Sequence, residues 1–325
     1  MSLSTGTVEV DVLLLDGASA SAVGATIDIL SAANRIATER RFDFRYVGVG
    51  ESTRLRGDLA APTVPLASNP ARELIVVPGL GAATASEVTD RCRQPDMAVT
   101  LPWLAAAAAA GADIAASCSA VFVLGDAGLL TGRRCVTTWW LGADLAQLAP
   151  GCRVDIDEMV VRDGPIWTAG SAFAHVDLTL ALVRHFGGVA LADEVGRRLI
   201  VDERTSQAGF LAPSHLAARD EMVAELETYV RTHLTRAHTL RSLAVACRTS
   251  ARTLDRRSRA GVGMSPMQLV ARIRLERALY LLRTTSDPLD SIAAAVGLGD
   301  ANALHRLVKR HTGCPPGALR GRASA

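Results

Sequence analysis

Apolar and polar positions follow two different rhythms along this chain. In the N-terminal part, short apolar runs alternate with amphipathic stretches. Residues 8–15 (VEVDVLLL) read as a strand that stops at Asp16/Gly17, and helical spacing follows from about residue 22 to residue 37. Residues 42–50 alternate like a strand, and residues 73–78 form a continuous apolar run ending at Gly79 and Gly81. A helix over 96–110, a strand over 113–116, Cys118 and a helix over 119–124 come next. Strands that are apolar on both faces, alternating with helices, predict an α/β doubly wound parallel sheet covered on both sides. Such sheets bind ligands at the carboxyl ends of their strands. The places to look are therefore Asp16/Gly17, residues 79–82 and residues 117–120.

Past residue 216 the period is helical throughout, which predicts an all-α second domain. One pattern occurs twice there, SLAVACRTSARTLDRRSRAGVGMSP from Ser242 and SIAAAVGLGDANALHRLVKRHTGCPP from Ser291. Each copy has a short apolar helix, a turn of small residues, and a second helix with basic residues on one side that ends at a glycine shortly before a proline. These are two helix-turn-helix units in tandem. Residues 266–283 between them carry apolar residues at helical spacing, with Pro266 in the first turn, and predict one long connector helix. A rigid connector matters because recognition helices enter successive major grooves only when held roughly 34 Å apart. Ser250 and Asp300 suit the caps of the two recognition helices. The outward faces then hold Arg252, Thr253, Arg256, Arg257 and Arg259 in the first, and Asn302, His305, Arg306 and Lys309 in the second. Arg grips guanine and Asn grips adenine in bidentate fashion. Arg252, Arg256, Asn302 and His305 are therefore expected at base edges, and Arg257, Arg259, Arg306 and Lys309 mainly at phosphates.

Charge sharpens this division. The chain carries +2 overall, but from residue 215 onward 18 Lys and Arg stand against 9 Asp and Glu, a net of +9 against −7 for the remainder. A basic module attached to an acidic one is the footprint of a reader of double-stranded DNA with a separate, non-DNA domain. With 325 residues the chain can build two cores, and 49% hydrophobic residues argue against general disorder. No apolar run reaches the roughly 20 residues of a membrane helix, and the first residues lack an export signal, so the expected compartment is the cytoplasm, on the nucleoid. The six widely spaced cysteines contain no CxxC pair and suggest free thiols and no metal site.

The sharpest local feature of the first domain is IAASCSAVFVLGDAGLL. Here a strand turns directly into a helix at Cys118, with Ser119 beside it, and the helix N-terminal amides would favour a thiolate. A small buried cysteine is the alternative reading of that pattern. Trp139 and Trp140 either cap the core or wall a ligand cleft, and His175, opening a helix pattern, is a structural residue or a pocket residue.

Two resemblances add to these readings. RTLDRRSRAGVGMSPMQLVARIRLERALYLLR, IAAAVGLGD and HRLVKRHTGCPPGALR closely resemble the DNA-binding domain of AraC/XylS-type transcription regulators. The chain departs from that pattern at Ser258, Leu304, Val308 and Thr312, where larger, mostly aromatic side chains are usual. VVPGLGA, ASCSAVFVLGDAGLLTGRR and TTWW resemble the flavodoxin-like PfpI-type, glutamine-amidotransferase-like domain that serves many AraC-type regulators as sensor. That resemblance implies a pocket at Asp16, Asp28, Gly79, Gly81, Cys118, Ser119, Trp139 and His175, with Cys118 in the place of a nucleophile. Trp139 stands where a histidine is usual and Asp28 where a glutamate is, so catalysis is not expected and no cofactor is implied. The expected protein is a homodimeric, sequence-specific regulator controlled by a small-molecule effector. Its expected organisation is a sensor domain over 1–204, a polar linker over 205–216 and a DNA-binding domain over 217–325. The rival readings are an active cysteine amidase or hydrolase fused to a DNA-binding tail, and a thiol redox sensor acting through Cys118.

Overall fold

The computed structural model describes residues 6–38, 40–67, 72–218 and 220–320, in two compact units, Met1–Thr205 and Ser206–Ala325. The sequence predicts a helix over residues 219–233 at the start of the second domain; Arg219 lies outside the described residues.

In the first unit seven strands form one sheet in the order Val160–Asp163, Ile166–Ala169, Asp113–Ser117, Leu74–Val77, Gly6–Leu13, Arg40–Gly48, Val64–Pro65. All neighbours are parallel except the first pair, an antiparallel edge. The side-chain alternation of a strand accounts for the two-sided core. Val10, Val12, Leu74 and Val76 pack with Ile29, Leu30, Leu178 and Val195, from the helices Ala20–Ile36, Ala174–Gly187 and Val189–Leu199. Leu13, Ile75 and Val77 pack with Trp103, Leu104, Val123 and Leu145, from the helices Met97–Ala109, Val121–Asp126 and Gly142–Leu148. The fold is thus the expected doubly wound, flavodoxin-like one. Two small ribbons, Ser52–Arg54 with Ala60–Pro62 and Arg134–Cys135 with Arg153–Val154, add to it.

The second unit is helical. It contains Glu221–Thr232, the two short first helices Leu240–Ala246 and Leu289–Ala295, the recognition helices Ala251–Val262 and Ala301–Thr312, and the connector Pro266–Thr284. A connector of 19 residues is about 28 Å long at the rise of an α-helix. Ser265 and Gln268 close a capping box at its start, beside Pro266. The recognition helices are built alike: Ser250 and Asp300 accept from the Thr253 and Ala303 amides, and Gly263 and Gly313 end the helices in the left-handed region.

Residues 205–216, expected as a linker, are not one from Ser206 on. Ala208, Leu211 and Leu216 are buried, Pro213–Ala217 is helical, and the Ser206 hydroxyl donates to the His311 carbonyl at 2.7 Å. The polar, proline-containing composition of this stretch hid its three apolar anchors.

Candidate functional site

Three strand ends meet around Cys118. The strand Asp113–Ser117 passes into a single 3-10 turn, Cys118–Ala120, and then into Val121–Asp126. Cys118 takes φ +54°, a left-handed conformation that costs a non-glycine residue on the order of 1–3 kcal/mol and marks a held elbow. Its amide donates to the Gly170 carbonyl at 2.8 Å, and its carbonyl accepts the Thr137 hydroxyl at 2.7 Å. Gly79 sits tightly against the elbow: a Cβ there would lie 3.0 Å from Cys118 Cβ and 3.3 Å from the Ser117 carbonyl oxygen, so a side chain would push these neighbours by a few tenths of an ångström. Leu80 N donates to Ser119 Oγ at 3.2 Å, and the Ser19 amide donates to the Gly79 carbonyl at 2.7 Å. Gly81, at φ +67°, holds its carbonyl against the Arg56 guanidinium. Gly79, Gly81, Cys118 and Ser119 therefore form one assembly with the start of the first helix.

The expected thiolate is not what this geometry favours. Burial pushes the Cys118 thiol above its ordinary value, against a weaker downward pull from the Ser119 amide and hydroxyl. The helix after the elbow is short and Cys118 is buried, so desolvation outweighs the amides.

The hydrogen-bond partners of the His175 ring are Thr26 and Ser117. It is fully buried, with Nε2 2.7 Å from Thr26 Oγ1 and Nδ1 2.9 Å from Ser117 Oγ. Thr26 already donates its hydroxyl proton to the Ala22 carbonyl at 3.1 Å. Nε2 must therefore carry the ring proton and donate to Thr26, while Nδ1 accepts from Ser117. Burial lowers the imidazole pKa to about 4, so the ring is neutral at physiological pH. It ties the first helix to the strand that ends in the elbow. Asp28, expected to face the pocket, is exposed on that helix instead; Thr26, two positions earlier, turns inward. Helical geometry puts positions two apart on different faces.

Trp139 and Trp140 form a T-shaped pair, ring centroids 5.1 Å apart, and Trp140 Nε1 donates to the Ala83 carbonyl at 2.8 Å. The segment bearing them is anchored to the elbow through Thr137. Asp16 is exposed. Its carboxylate accepts the Arg54 amide at 3.0 Å, and its carbonyl accepts Arg91 Nε at 2.7 Å. Asp16 lines a cleft of about 600 Å³ with Gly17, Arg54, Asp90, Arg91 and Asp96. Arg91 is forked onto Asp96 at 2.9 and 2.6 Å. Arg54, Arg56, Arg91, Thr26 and Thr137 escaped sequence reasoning, because each acts through a partner far along the chain and no local spacing marks it.

In the second unit Arg252, Arg256, Arg259, Asn302, His305, Arg306 and Lys309 are exposed, while Leu254, Leu304 and Val308 are buried. Thr253 is part of the cap, 2.9 Å from Ser250 Oγ. Arg257 departs from expectation: it turns to Asp220, forking onto that carboxylate at 2.9–3.0 Å. It follows the outward Arg256 and precedes the buried Ser258, which brings it against the N-cap of Glu221–Thr232. Arg259 is exposed but pairs with Asp255 one turn back, at 2.9 Å. Ser258, where a larger residue was usual, is buried and donates to the Met264 carbonyl at 2.7 Å, so its hydroxyl is satisfied.

Residues 9–185, more than half of the chain, match the DJ-1/PfpI family, and residues 243–322 match a helix-turn-helix domain of AraC type. The chain is a DJ-1/PfpI-family protein with an AraC-type DNA-binding domain. An AraC family transcriptional regulator of known structure from Pseudomonas putida is 25% identical, with a TM-score of 0.51, covering 59% of this chain and 99% of that one. The HTH-type transcriptional regulator GbdR of Pseudomonas aeruginosa is 24% identical over 94% of this chain and 82% of its own length. An isonitrile hydratase of Pseudomonas putida is 33% identical over 42% of this chain, an alignment that spans 56% of that protein. The chain spans about half the length of the first curated relatives it matches, 56% of the isonitrile hydratase and 47% of a putative AraC-like transcription regulator of Streptomyces antibioticus. Among its described residues no helix is long and apolar enough to cross a membrane.

Proposed function

We propose that the DJ-1/PfpI domain is a non-catalytic sensor and that a small metabolite bound at the strand ends around Cys118 sets the affinity of a homodimer for DNA. The observation that carries this reading is the state of Cys118. It is buried, burial raises its thiol above the ordinary value, Trp139 follows where an imidazole would be needed, and His175 has both ring nitrogens committed to Thr26 and Ser117. The surrounding carbonyls, hydroxyls and indoles suit recognition by shape and hydrogen bonding. An effector acts only by binding the DNA-competent and incompetent states unequally.

On the DNA side, Arg252, Arg256, Asn302 and His305 read base edges, Arg259, Arg306 and Lys309 meet phosphates, and Thr253 supports the cap beside them. Arg257 leaves the contact set, because its fork is filled by Asp220. A protein with these roles works in the cytoplasm, on the nucleoid.

The match to an isonitrile hydratase favours a second reading, in which Cys118 performs chemistry of its own. One experiment separates the two: full-length wild-type protein and the Cys118→Ser variant are incubated with an isonitrile and, separately, titrated onto target DNA. The sensor reading expects no turnover by either and DNA binding by both. Turnover by wild type that Cys118→Ser abolishes would replace it with the enzymatic reading.

A further inference from the structure

Outside the elbow, two other cysteines stand together. Arg134–Cys135 and Arg153–Val154 pair as parallel strands, with Arg134 opposite Arg153 and Cys135 opposite Val154. Continuing that register by one residue puts Cys152 opposite Arg133, an arrangement fixed by the Arg153 amide donating to the Arg133 carbonyl at 2.8 Å. Cys135 and Cys152 then lie two positions apart along the ribbon, on the same face. Both belong to one apolar cluster, Cys135 fully buried and Cys152 at its partly exposed margin. Each thiol acts on the acidity of the other more strongly than any other neighbour does.

We propose that Cys135 and Cys152 are an oxidisable pair that closes to a reversible disulfide on reaction with a hydroperoxide. Access and contact assign the roles: Cys152 is the attacking sulfur and Cys135 the resolving one. The Cys152 sulfur attacks a peroxide oxygen, the O–O bond breaks, and the departing hydroxide leaves as water, giving a sulfenic acid. The Cys135 sulfur then attacks the oxidised sulfur, the S–O bond breaks, and the hydroxyl leaves with the Cys135 proton as a second water. Two thiols have lost two hydrogens and two electrons, and one peroxide has become two waters. Hydrogen bonding from Cys135 holds the Cys152 thiol below its ordinary value, which favours attack from that side, while Cys135 is raised by the same bond and by burial.

The pair sits where a covalent tie would be felt. Cys135 is followed by Val136, whose amide donates to Thr168 Oγ1 at 2.9 Å, and by Thr137, whose hydroxyl holds the Cys118 carbonyl. A disulfide would fasten the segment leading to Trp139 to the far side of its own loop. This is a different oxidation site from Cys118, whose sulfur is buried and has no thiol partner in the described hydrogen bonds.

The test uses a convenience of the sequence: Arg134 and Arg153 bracket both thiols with no Lys or Arg between them. Trypsin therefore releases Cys135 and Cys152 on one peptide. The full-length protein is treated with hydrogen peroxide, alkylated in denaturant, digested and weighed. The expected result is a 135–153 peptide lighter by two hydrogens and carrying no alkyl groups, restored to double alkylation by prior dithiothreitol. Cys152→Ser abolishes that species and Cys118→Ser preserves it, each checked for an unchanged thermal unfolding profile. A doubly alkylated 135–153 peptide at peroxide levels that oxidise Cys118 or the exposed Cys314 would overturn the proposal. So would Cys152 that stops at the sulfinic acid. Because the readout is a mass, the outcome is independent of any effector or DNA site.

Discussion

The buried imidazole of His175 should make the first unit acid-labile in a way that one substitution removes. Its folded pKa is about 4 against an ordinary value of 6.5, and the cause is burial. The folded state therefore binds its proton later than the unfolded chain as pH falls. The resulting stability is present above pH 6.5 and is lost progressively between pH 6.5 and about 4. Each pH unit in that window is worth about 1.4 kcal/mol, so going from pH 7 to pH 5 removes about 2 kcal/mol through this residue alone. All four tryptophans, Trp103, Trp139, Trp140 and Trp167, lie in the first unit, so their fluorescence follows its unfolding within the intact chain. Urea unfolding of wild type and His175→Gln at pH 7 and pH 5 isolates the effect. Gln cannot titrate but keeps one donor and one acceptor for Thr26 and Ser117. Whatever the substitution costs at pH 7, wild type should lose about 2 kcal/mol more than the variant on acidification. Equal losses in the two proteins would refute a neutral, fully buried His175.

Gly297, at φ +73°, has no room for a side chain, since a Cβ would lie 2.4 Å from the Leu234 carbonyl oxygen. Gly297→Ala should cost more than about 2 kcal/mol and reduce helical circular dichroism on mild heating, whereas Gly299→Ala, with open space around it, should not. Arg257→Ala should lower stability by about 1 kcal/mol through loss of the Asp220 pair, yet leave the salt dependence of DNA binding unchanged. Arg306→Ala or Lys309→Ala should instead reduce the slope of log affinity against log salt by about 1. Ser258→Ala should cost about 1 kcal/mol by stranding the Met264 carbonyl, measured by thermal unfolding followed at a helical wavelength.

What the sequence made legible was whatever depends on near neighbours. The elbow at Cys118, the glycines at Gly79 and Gly81, the caps Ser250 and Asp300 and the connector beginning at Pro266 all announce themselves within a few residues. The errors came from partners far along the chain and from burial. Arg257 looked like a phosphate contact because Asp220 lies 37 residues upstream. Asp28 entered as a pocket acid through the family resemblance, but positions two apart on a helix face different ways, and Thr26 holds the inward place. The Cys118 thiol looked ionisable because its amides were visible in sequence and its desolvation was not. His175 showed only as a residue opening a helix, and its hydroxyl partners Thr26 and Ser117 come from two other elements.

One titration decides whether this DJ-1/PfpI–AraC protein reads specific DNA through its two exposed recognition helices. Full-length wild type, Arg252→Ala and Arg256→Ala are bound at fixed salt to the fragment the wild type selects from its genome and to a scrambled fragment of the same length. Wild type should prefer the selected fragment by roughly 10³-fold or more. Each variant should lose about 1–3 kcal/mol there while binding the scrambled fragment nearly as before. Equal affinity of wild type for both fragments, or variants that weaken both to the same degree, would contradict that reading.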